Sequence, residues 1–278
     1  MGLKLKVAKN KADKDQTFAV RYKVFIEELG FDSEKKFTEK KEHDLYDTLP
    51  GTVSLLALKN GKGIAAARLI KPNPQMKNSN NIFGLPIENL YDLSAYKKQN
   101  IAPCEISRSA TLKNNRSSRI MMDIWKISYQ YSLQNNIKVY CSCTGTETDS
   151  GESARLIFEL IKLKGYLHPD IYTKPLKTRP AADNKKQKNR YPLYNKYIIK
   201  KIKNAGGLNQ GNLEYFQELG LDLPATLKYF IRIGGKFTGP PVLYPQFSMF
   251  TLPWVLVLED INEPFKTFFS RKADYIEL

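Results

Sequence analysis

The sequence predicts an α/β fold in which helices flank a mixed sheet, and three observations carry that expectation. Val53–Lys59 and Gly63–Ile70 are strand-like runs on either side of Asn60-Gly61, the dipeptide that favours a tight hairpin. Residues 104–164 then alternate strand, helix, strand, helix. At 42% hydrophobic and 26% charged residues, the 278-residue chain has the composition of a globule with a buried core. That length permits one large domain or two small ones.

Taken in order, Lys4–Val7 alternates polar and apolar residues as a short strand does. Thr17 is placed to cap a helix with Phe18, Tyr22, Phe25 and Leu29 on one face, and Gly30 supplies its stop. Residues 32–43 are almost wholly polar, the pattern of an exposed, mobile loop, and residues 72–101 read as a long, partly ordered excursion rich in Pro, Asn and Tyr. Cys104–Leu112 is a strand, and residues 114–118 form a polar break. The helix that follows, about 118–133, carries two apolar stripes and so is buried on more than one side. Lys138–Cys143 is a strand, and Glu152–Lys164 an amphipathic helix stopped by Gly165. Leu213–Leu219 and Ala225–Ile233 are helical, Trp254–Leu258 is a buried strand and Pro264–Phe269 starts a last short helix. With no internal repeat and no long linker, the expectation is one domain over 1–278, with a basic insertion at about 174–206 and a helix-strand extension at about 207–278.

Composition excludes several functions. No apolar run approaches the ~20 residues that span a bilayer, and the N-terminus lacks a secretory apolar core. Three cysteines cannot make a disulfide framework and two histidines nearly exclude His-based metal sites, so no metal and a cytoplasmic location are expected. A net charge of +16 implies an acidic partner. Eleven basic residues and a single acid lie between Lys174 and Lys203, the most one-sided stretch of the chain.

Three clusters are candidates for chemistry. Glu42, Asp44 and Asp47 have Arg21 and Arg68 as partners, although by residue type alone carboxylates in a loop are solvated. Glu105-Ile106-Ser107-Arg108 lies in a strand, where unpaired burial is expensive, so it is either a structural ion pair or a tuned site. The break at 114–118 opens a helix, whose free amides attract phosphate, although most helices begin this way for capping alone. Cys141 and Cys143 share a strand face and read as packing. Phosphate-loop and dinucleotide fingerprints are absent.

In order along the chain, Arg21-Tyr22-Lys23-Val24-Phe25, Glu42-His43-Asp44-Leu45-Tyr46-Asp47, Ala67-Arg68-Leu69 and Glu105-Ile106-Ser107-Arg108 resemble the acyl-homoserine-lactone synthases and the bacterial N-acyl amino acid synthases, GNAT-like acyltransferases. The tail, from Leu223-Pro224 through residues 228–234 to Gly239-Pro240-Pro241 and Leu256-Val257-Leu258, is similar to ornithine-lipid-type N-acyltransferases. Two departures stand out. Phe31 replaces the usual Trp after the first helix, and residues 114–118 replace the glycine-rich pyrophosphate loop of acetyl-CoA-dependent enzymes.

The resemblance implies a GNAT-like, mostly antiparallel sheet. It also implies transfer of a long-chain acyl group from the phosphopantetheine thioester of an acyl carrier protein, with acyl-CoA as a substitute, to the primary amine of an amino acid or small amine. Glu105 is then the candidate base and Arg108 its structural partner, while Arg21, Glu42, Asp44, Asp47 and Arg68 order a lid over the acceptor. Phe25, Phe31, Ser107, Arg116, Ser117, Ser118, Met122, Trp125 and Cys141 form the donor side, with Phe25, Met122, Trp125 and Cys141 along the acyl chain, although each also fits a packed core. Lys185, Lys186, Lys188, Arg190, Lys200 and Lys201 would dock the acidic carrier, and a peripheral membrane contact is a further expectation. The nearer alternative is a lactone synthase using S-adenosylmethionine. A non-catalytic basic module binding nucleic acid or membrane explains the charge but neither the acidic cluster nor the Glu-Ile-Ser-Arg strand.

Overall fold

Asn60 and Gly61 both take positive φ, 53° and 76°, the backbone that a two-residue turn needs to match the twist of its flanking strands. In the computed structural model, which describes residues 2–31, 37–77, 81–116, 118–176, 196–247 and 249–278, this turn joins two central strands of the main sheet. The strands are β1 (Leu3–Val7), β2 (Thr52–Lys59), β3 (Lys62–Ile70), β4 (Tyr91–Asp92), β5 (Cys104–Thr111), β6 (Val139–Gly145), β7 (Lys174–Pro175), β8 (Lys236–Phe237), β9 (Val242–Tyr244), β10 (Met249–Val257) and β11 (Ile276–Glu277). The helices are α1 (Lys11–Tyr22), α2 (Ser94–Lys98), α3 (Ser118–Gln134), α4 (Gly151–Leu163), α5 (Lys196–Asn204), α6 (Leu213–Glu218), α7 (Ala225–Ile233) and α8 (Glu263–Ser270). Among the described residues the main sheet runs β11-β1-β2-β3-β5-β6-β10-β8, with β9 on β10; β4 and β7 pair separately. Only β1–β11 and β5–β6 are parallel among its strand pairs, so the mixed sheet is mostly antiparallel. It takes strands from both ends of the chain.

β2 and β3 read as continuous apolar runs because both their faces are covered. On one face, Ala65, Ala67 and Leu69 of β3 and Cys104 and Ile106 of β5 join the main core with Ile124 and Ile127 of α3 and Ile157 and Leu160 of α4. On the other, Val20 of α1 packs with Val24 on Ala66 and Ala110. Further along that face, residues 83–96 pack through Leu85, Ile87, Tyr91 and Tyr96 against Cys141 and Val255.

Three elements differ from the sequence reading. α1 begins at Lys11, capped by the Asn10 side chain, which accepts from Asp13 N. Thr17 is therefore mid-helix and donates to Asp13 O. The buried face of this helix opens on polar Asp13 and Thr17, so apolar periodicity is silent there. The excursion at 72–101 is ordered where described, because the buried Glu88 carboxylate accepts from the N–H groups of Ile82, Phe83 and Leu85. β10 starts five residues before Trp254, its inner stretch hidden from pattern reading by Pro253, which nonetheless holds register with Cys143. Of the basic insertion, residues 177–195 lie outside the described residues. α5 beyond it buries Ile198 and Ile202 in the main core. No helix among the described residues is long and apolar enough to cross a membrane.

Leu69, 1% exposed between α3 and the neighbouring strands, has no slack around it. Leu69→Ala is expected to lower stability by about 2–5 kcal/mol, read from the urea midpoint.

Candidate functional site

The last turn of α1 carries Arg21, and the helix continues as a π turn over Lys23–Glu28, a local widening frequent at functional sites. Arg21 is fully buried. Its Nε donates to Glu42 Oε2 at 2.5 Å, and its two Nη atoms donate to the Asp47 carboxylate at 2.7 and 3.0 Å. Asp44 and Asp47 also cap a short 3₁₀ turn at Leu45–Thr48. Asp44 accepts from Tyr46 N and Asp47 from Asp44 N, so the loop's own backbone fixes both carboxylates. Arg68, on the α1 face of β3, reaches them from the sheet. Its Nη1 lies 2.6 Å from Asp44 Oδ1 and 3.0 Å from Asp47 Oδ2, and its Nε donates to Ser107 Oγ at 3.3 Å. Burial works against the Asp47 charge, but Arg21 and Arg68 outweigh it and hold the carboxyl well below the usual range. Arg108 completes the set, with Nε 3.2 Å from Glu42 Oε1 and Nη2 3.4 Å from Asp44 Oδ2. Three guanidinium groups thus face three carboxylates and cancel them.

Glu105 is the acid left over. It is 4% exposed, and burial pushes its pKa up to about 7. The Ile87 N–H, which donates to Oε2 at 2.8 Å, and the charges of Arg68 and Arg108 oppose that shift without reversing it. β5 and β6 pair only at Cys104↔Tyr140 and Glu105↔Cys141. Beyond Glu105 they diverge, β5 staying with β3 and β6 with β10. A bulge occurs there: three residues of β5 span two of β3, and Arg108 takes φ +53°, an uncommon conformation for a non-glycine residue.

A cavity of about 600 Å³ opens in this gap, lined by residues 106–109 of β5 and 142–145 of β6. Its polar end holds Glu42, Asp44, Tyr46, Arg68, Glu105, Arg108 and Tyr244, and its apolar end Met121, Trp125, Tyr229, Phe230 and Trp254. Because the polar set lies on the α1 face and the aromatic set on the α3 face, the cavity passes through the sheet where the strands part. Such an arrangement suits a reaction between a small polar substrate and a long apolar one that enter from opposite sides.

Residues 20–126 match the family model of the acetyltransferase (GNAT) domain. The fold is GNAT-like. Its fold is shared with FeeM, an N-acyl amino acid synthase from uncultured soil microbes, at TM-score 0.55 and 9% identity over 93% of each chain. BjaI, a CoA-dependent acyl-homoserine lactone synthase solved with SAM and isopentyl-CoA, superposes at TM-score 0.48 and 15% identity, covering 96% of this chain and 88% of that one. No curated protein sequence matches the chain.

Arg21, Glu42, Asp44, Asp47, Arg68 and Arg108 meet in one network, and Glu42 and Asp47 are buried rather than solvated as loop carboxylates. Phe25 and Phe31 line the cavity mouth with Phe247, which lies 4.7 Å from Phe31 by ring centroids; Ser107 and Trp125 also line the cavity. Two donor-side expectations are corrected. Cys141 is fully buried among Ile70, Tyr91 and Tyr96, and Cys143, two residues on along the strand, is the cysteine at the cavity. Met122 turns to Tyr229, whose hydroxyl donates to its sulfur, and Met121 lines the cavity instead. Arg116 lies apart, ion-paired with Glu28 and beside Lys59 and Lys113 in a second, basic cavity of about 550 Å³. Ser117 and the Ser118 side chain lie outside the described residues. So do Lys185, Lys186, Lys188 and Arg190, whereas Lys200 and Lys201 sit on α5, where the Lys201 ammonium donates to Tyr215 Oη. Pattern reading missed Tyr244, Phe247, Tyr229 and Trp254. These arrive through long-range packing, and only Tyr46, inside the acidic cluster, had a local signal.

The raised Glu105 pKa has a stability consequence whose sign is fixed. The folded state keeps a proton that the unfolded chain releases near pH 4.5, so stability present below that pH falls as pH rises toward 7 and levels off above it. Glu105→Gln removes this loss. Its stability relative to wild type is expected to rise by up to about 3 kcal/mol between pH 4.5 and 8, measured by urea unfolding at both; an offset independent of pH would refute the shifted carboxyl.

Proposed function

We propose that the protein transfers a long-chain fatty acyl group from a carrier-bound thioester to the primary amine of an amino acid or related small amine, giving a fatty amide and a free thiol. The observation that carries this reading is the position of Glu105, a buried carboxyl with a pKa of about 7, where the polar and apolar ends of one cavity join. An α-amino group has a pKa of about 8 and is mostly protonated at neutral pH. Glu105, ionised above its own pKa, accepts that proton directly or through water. The freed nitrogen attacks the thioester carbonyl, the C–N bond forms, and the developing oxyanion is stabilised by unpaired N–H groups on the diverging edge of β5. Collapse breaks the C–S bond, and the proton shed by the attacking nitrogen passes to the departing thiolate, giving the amide and the free thiol. The aromatic end around Trp125 and Trp254 accepts the acyl chain.

Two features support an acyl carrier protein as donor. Residues 112–118 lack the glycine-rich loop that cradles the coenzyme A pyrophosphate, and the cavity at the start of α3, lined by Lys59, Lys113 and Arg116, offers cations to a phosphate. α5 carries an exposed Lys200 beside a half-buried Lys201, and the chain is strongly basic, suited to steering an acidic carrier. The shared fold with an N-acyl amino acid synthase agrees with this reading.

Wild-type protein expressed in a bacterial host is expected to yield a new fatty amide in lipid extracts by mass spectrometry, and Glu105→Gln to lower its formation at least 100-fold while remaining folded. The purified enzyme should gain kcat/KM with pH through about 7. A fully active Glu105→Gln variant would end the assignment of the base.

Charge reversal at Lys200 and Lys201 together is expected to raise KM for acyl carrier thioester several-fold at low salt and much less at 0.5 M salt. An unchanged KM at low salt would exclude α5 from carrier docking.

A further inference from the structure

Glu88 is 1% exposed, lies outside the charge network, and takes part in no step of the proposed reaction. Its carboxylate nonetheless gathers donors from one stretch of backbone. Oε1 accepts from Ile82 N at 2.5 Å and Phe83 N at 3.1 Å, and Oε2 from Phe83 N at 3.1 Å and Leu85 N at 2.9 Å. These bonds fold residues 82–85 around the side chain and set where the short turn Pro86–Asn89 begins. The first N–H groups of a helical turn have no partner within it. Pro86 has no N–H, and the turn's own bonding starts with Glu88 N to Leu85 O at 3.0 Å. The Ile87 N–H is therefore left for another acceptor, and it donates to Glu105 Oε2 at 2.8 Å. Leu85 and Ile87, buried beside Tyr91 and Tyr96, hold the turn against the sheet.

Resting on the acyl-transfer reading above, which makes Glu105 the base, we infer that Glu88 is a positioning residue. It shapes the 82–87 backbone so that the Ile87 N–H meets Glu105, and thereby sets how tightly Glu105 holds its proton. The other groups that face Glu105 do not do this. Arg68 of β3 and Arg108 of β5 favour its ionised form and Asp44 of the 42–47 loop its protonated form, but these charges are fixed by one another in the network. Cys104 of β5, Cys141 and Cys143 of β6, Tyr46 of the loop and Tyr244 of β9 stay uncharged at neutral pH, because burial pushes each of them up. Glutamine at position 88 separates the possible effects by sign. It has the size of glutamate but one acceptor oxygen, and its NH2 group faces N–H donors, so the turn cannot close on it. Losing the Ile87 bond makes Glu105 harder to ionise. Removing a nearby negative charge would by itself make it easier.

The test follows the carboxyl itself by NMR and needs no turnover. The full chain is isotope-labelled at the glutamate carboxyl carbons, and the Glu105 resonance is assigned by its loss in Glu105→Gln. In the wild type it is expected to titrate near pH 7, and the Ile87 amide proton to shift with the same midpoint. Glu88→Gln is expected to raise the Glu105 midpoint by about one pH unit. Leu160→Ala, which opens a cavity in the main core, is expected to destabilise the fold and leave the midpoint in place. A midpoint that stays or falls in folded Glu88→Gln overturns the inference, as does a wild-type Ile87 amide that ignores the titration. If Glu88→Gln does not fold, Glu88→Asp, which keeps both acceptors but withdraws them by one methylene, is read in the same way and is expected to raise the midpoint. The acid limb of kcat/KM should follow the carboxyl in each variant. A midpoint that moves while that limb stays, or in a protein that acylates no amine, leaves the role of Glu88 standing and sinks the acyl-transfer reading instead.

Discussion

The site depends on one constraint: three guanidinium groups and three carboxylates are packed together, all buried but the half-buried Asp44 and Arg108, and each is paired by another. Charges taken out of water cost several kcal/mol apiece, and the cost is met only where geometry is good on both sides of each pair. Here the geometry is shared between distant parts of the chain. α1 supplies Arg21, β3 supplies Arg68, the β5 bulge supplies Arg108, and the 42–47 loop supplies all three acids. The loop is held by its charges, since few of its residues are apolar, and it in turn forms one wall of the polar end of the cavity. Removing a single member strands its partners in a dry environment, so the network couples the fold of the first hundred residues to the shape of the cavity.

The sheet contributes a second constraint. β5 is bonded on one side along its length and on the other for only two residues, so its remaining edge faces open space and not a neighbouring strand. Unpaired strand edges are ordinarily covered because exposed N–H and C=O groups recruit other chains. Between β5 and β6 the edge is enclosed within the molecule and becomes cavity wall, where free donors are useful. The bulge at Arg108 lets one strand both stay in register with β3 and turn a long side chain into that space.

Much of this was legible in residue order. The hairpin at Asn60-Gly61, the strand at Glu105 and the helices after it follow period and turn chemistry, and the charged residues of the network stood out because Arg and Glu inside apolar strands require partners. What was hidden has physical reasons. Asp13 and Thr17 occupy the buried face of α1, so the start of that helix carries no apolar signal. Cys141 and Cys143 share one face of β6, and alternation cannot tell which of them meets the cavity, because that depends on where β5 departs from β6. The adjacent methionines of α3 pose the same problem on a helix buried on more than one side. Tyr244, Phe247 and Trp254 come from the far end of the chain, and no local pattern announces contacts across more than a hundred residues.

The least legible element is the most consequential for Glu105. Residues 82–90 look irregular in sequence, being short of any periodic pattern, yet the buried Glu88 gathers the backbone N–H groups of Ile82, Phe83 and Leu85 and fixes the turn. That turn presents the Ile87 N–H to Glu105. A carboxyl buried with no such donor would rise further and stay protonated well above neutrality, useless as a base. One surrounded by more donors, or by an unbalanced arginine, would fall back toward its ordinary value and hold a proton too weakly to take one from an ammonium. The poise near 7 therefore results from opposed influences of separate segments: the sheet that buries the group, the charge network beside it, and one N–H delivered by a loop whose order comes from a second buried glutamate. In this account the two glutamates form a pair in function without touching. Glu88 organises the backbone, and that backbone tunes the carboxyl proposed as the base.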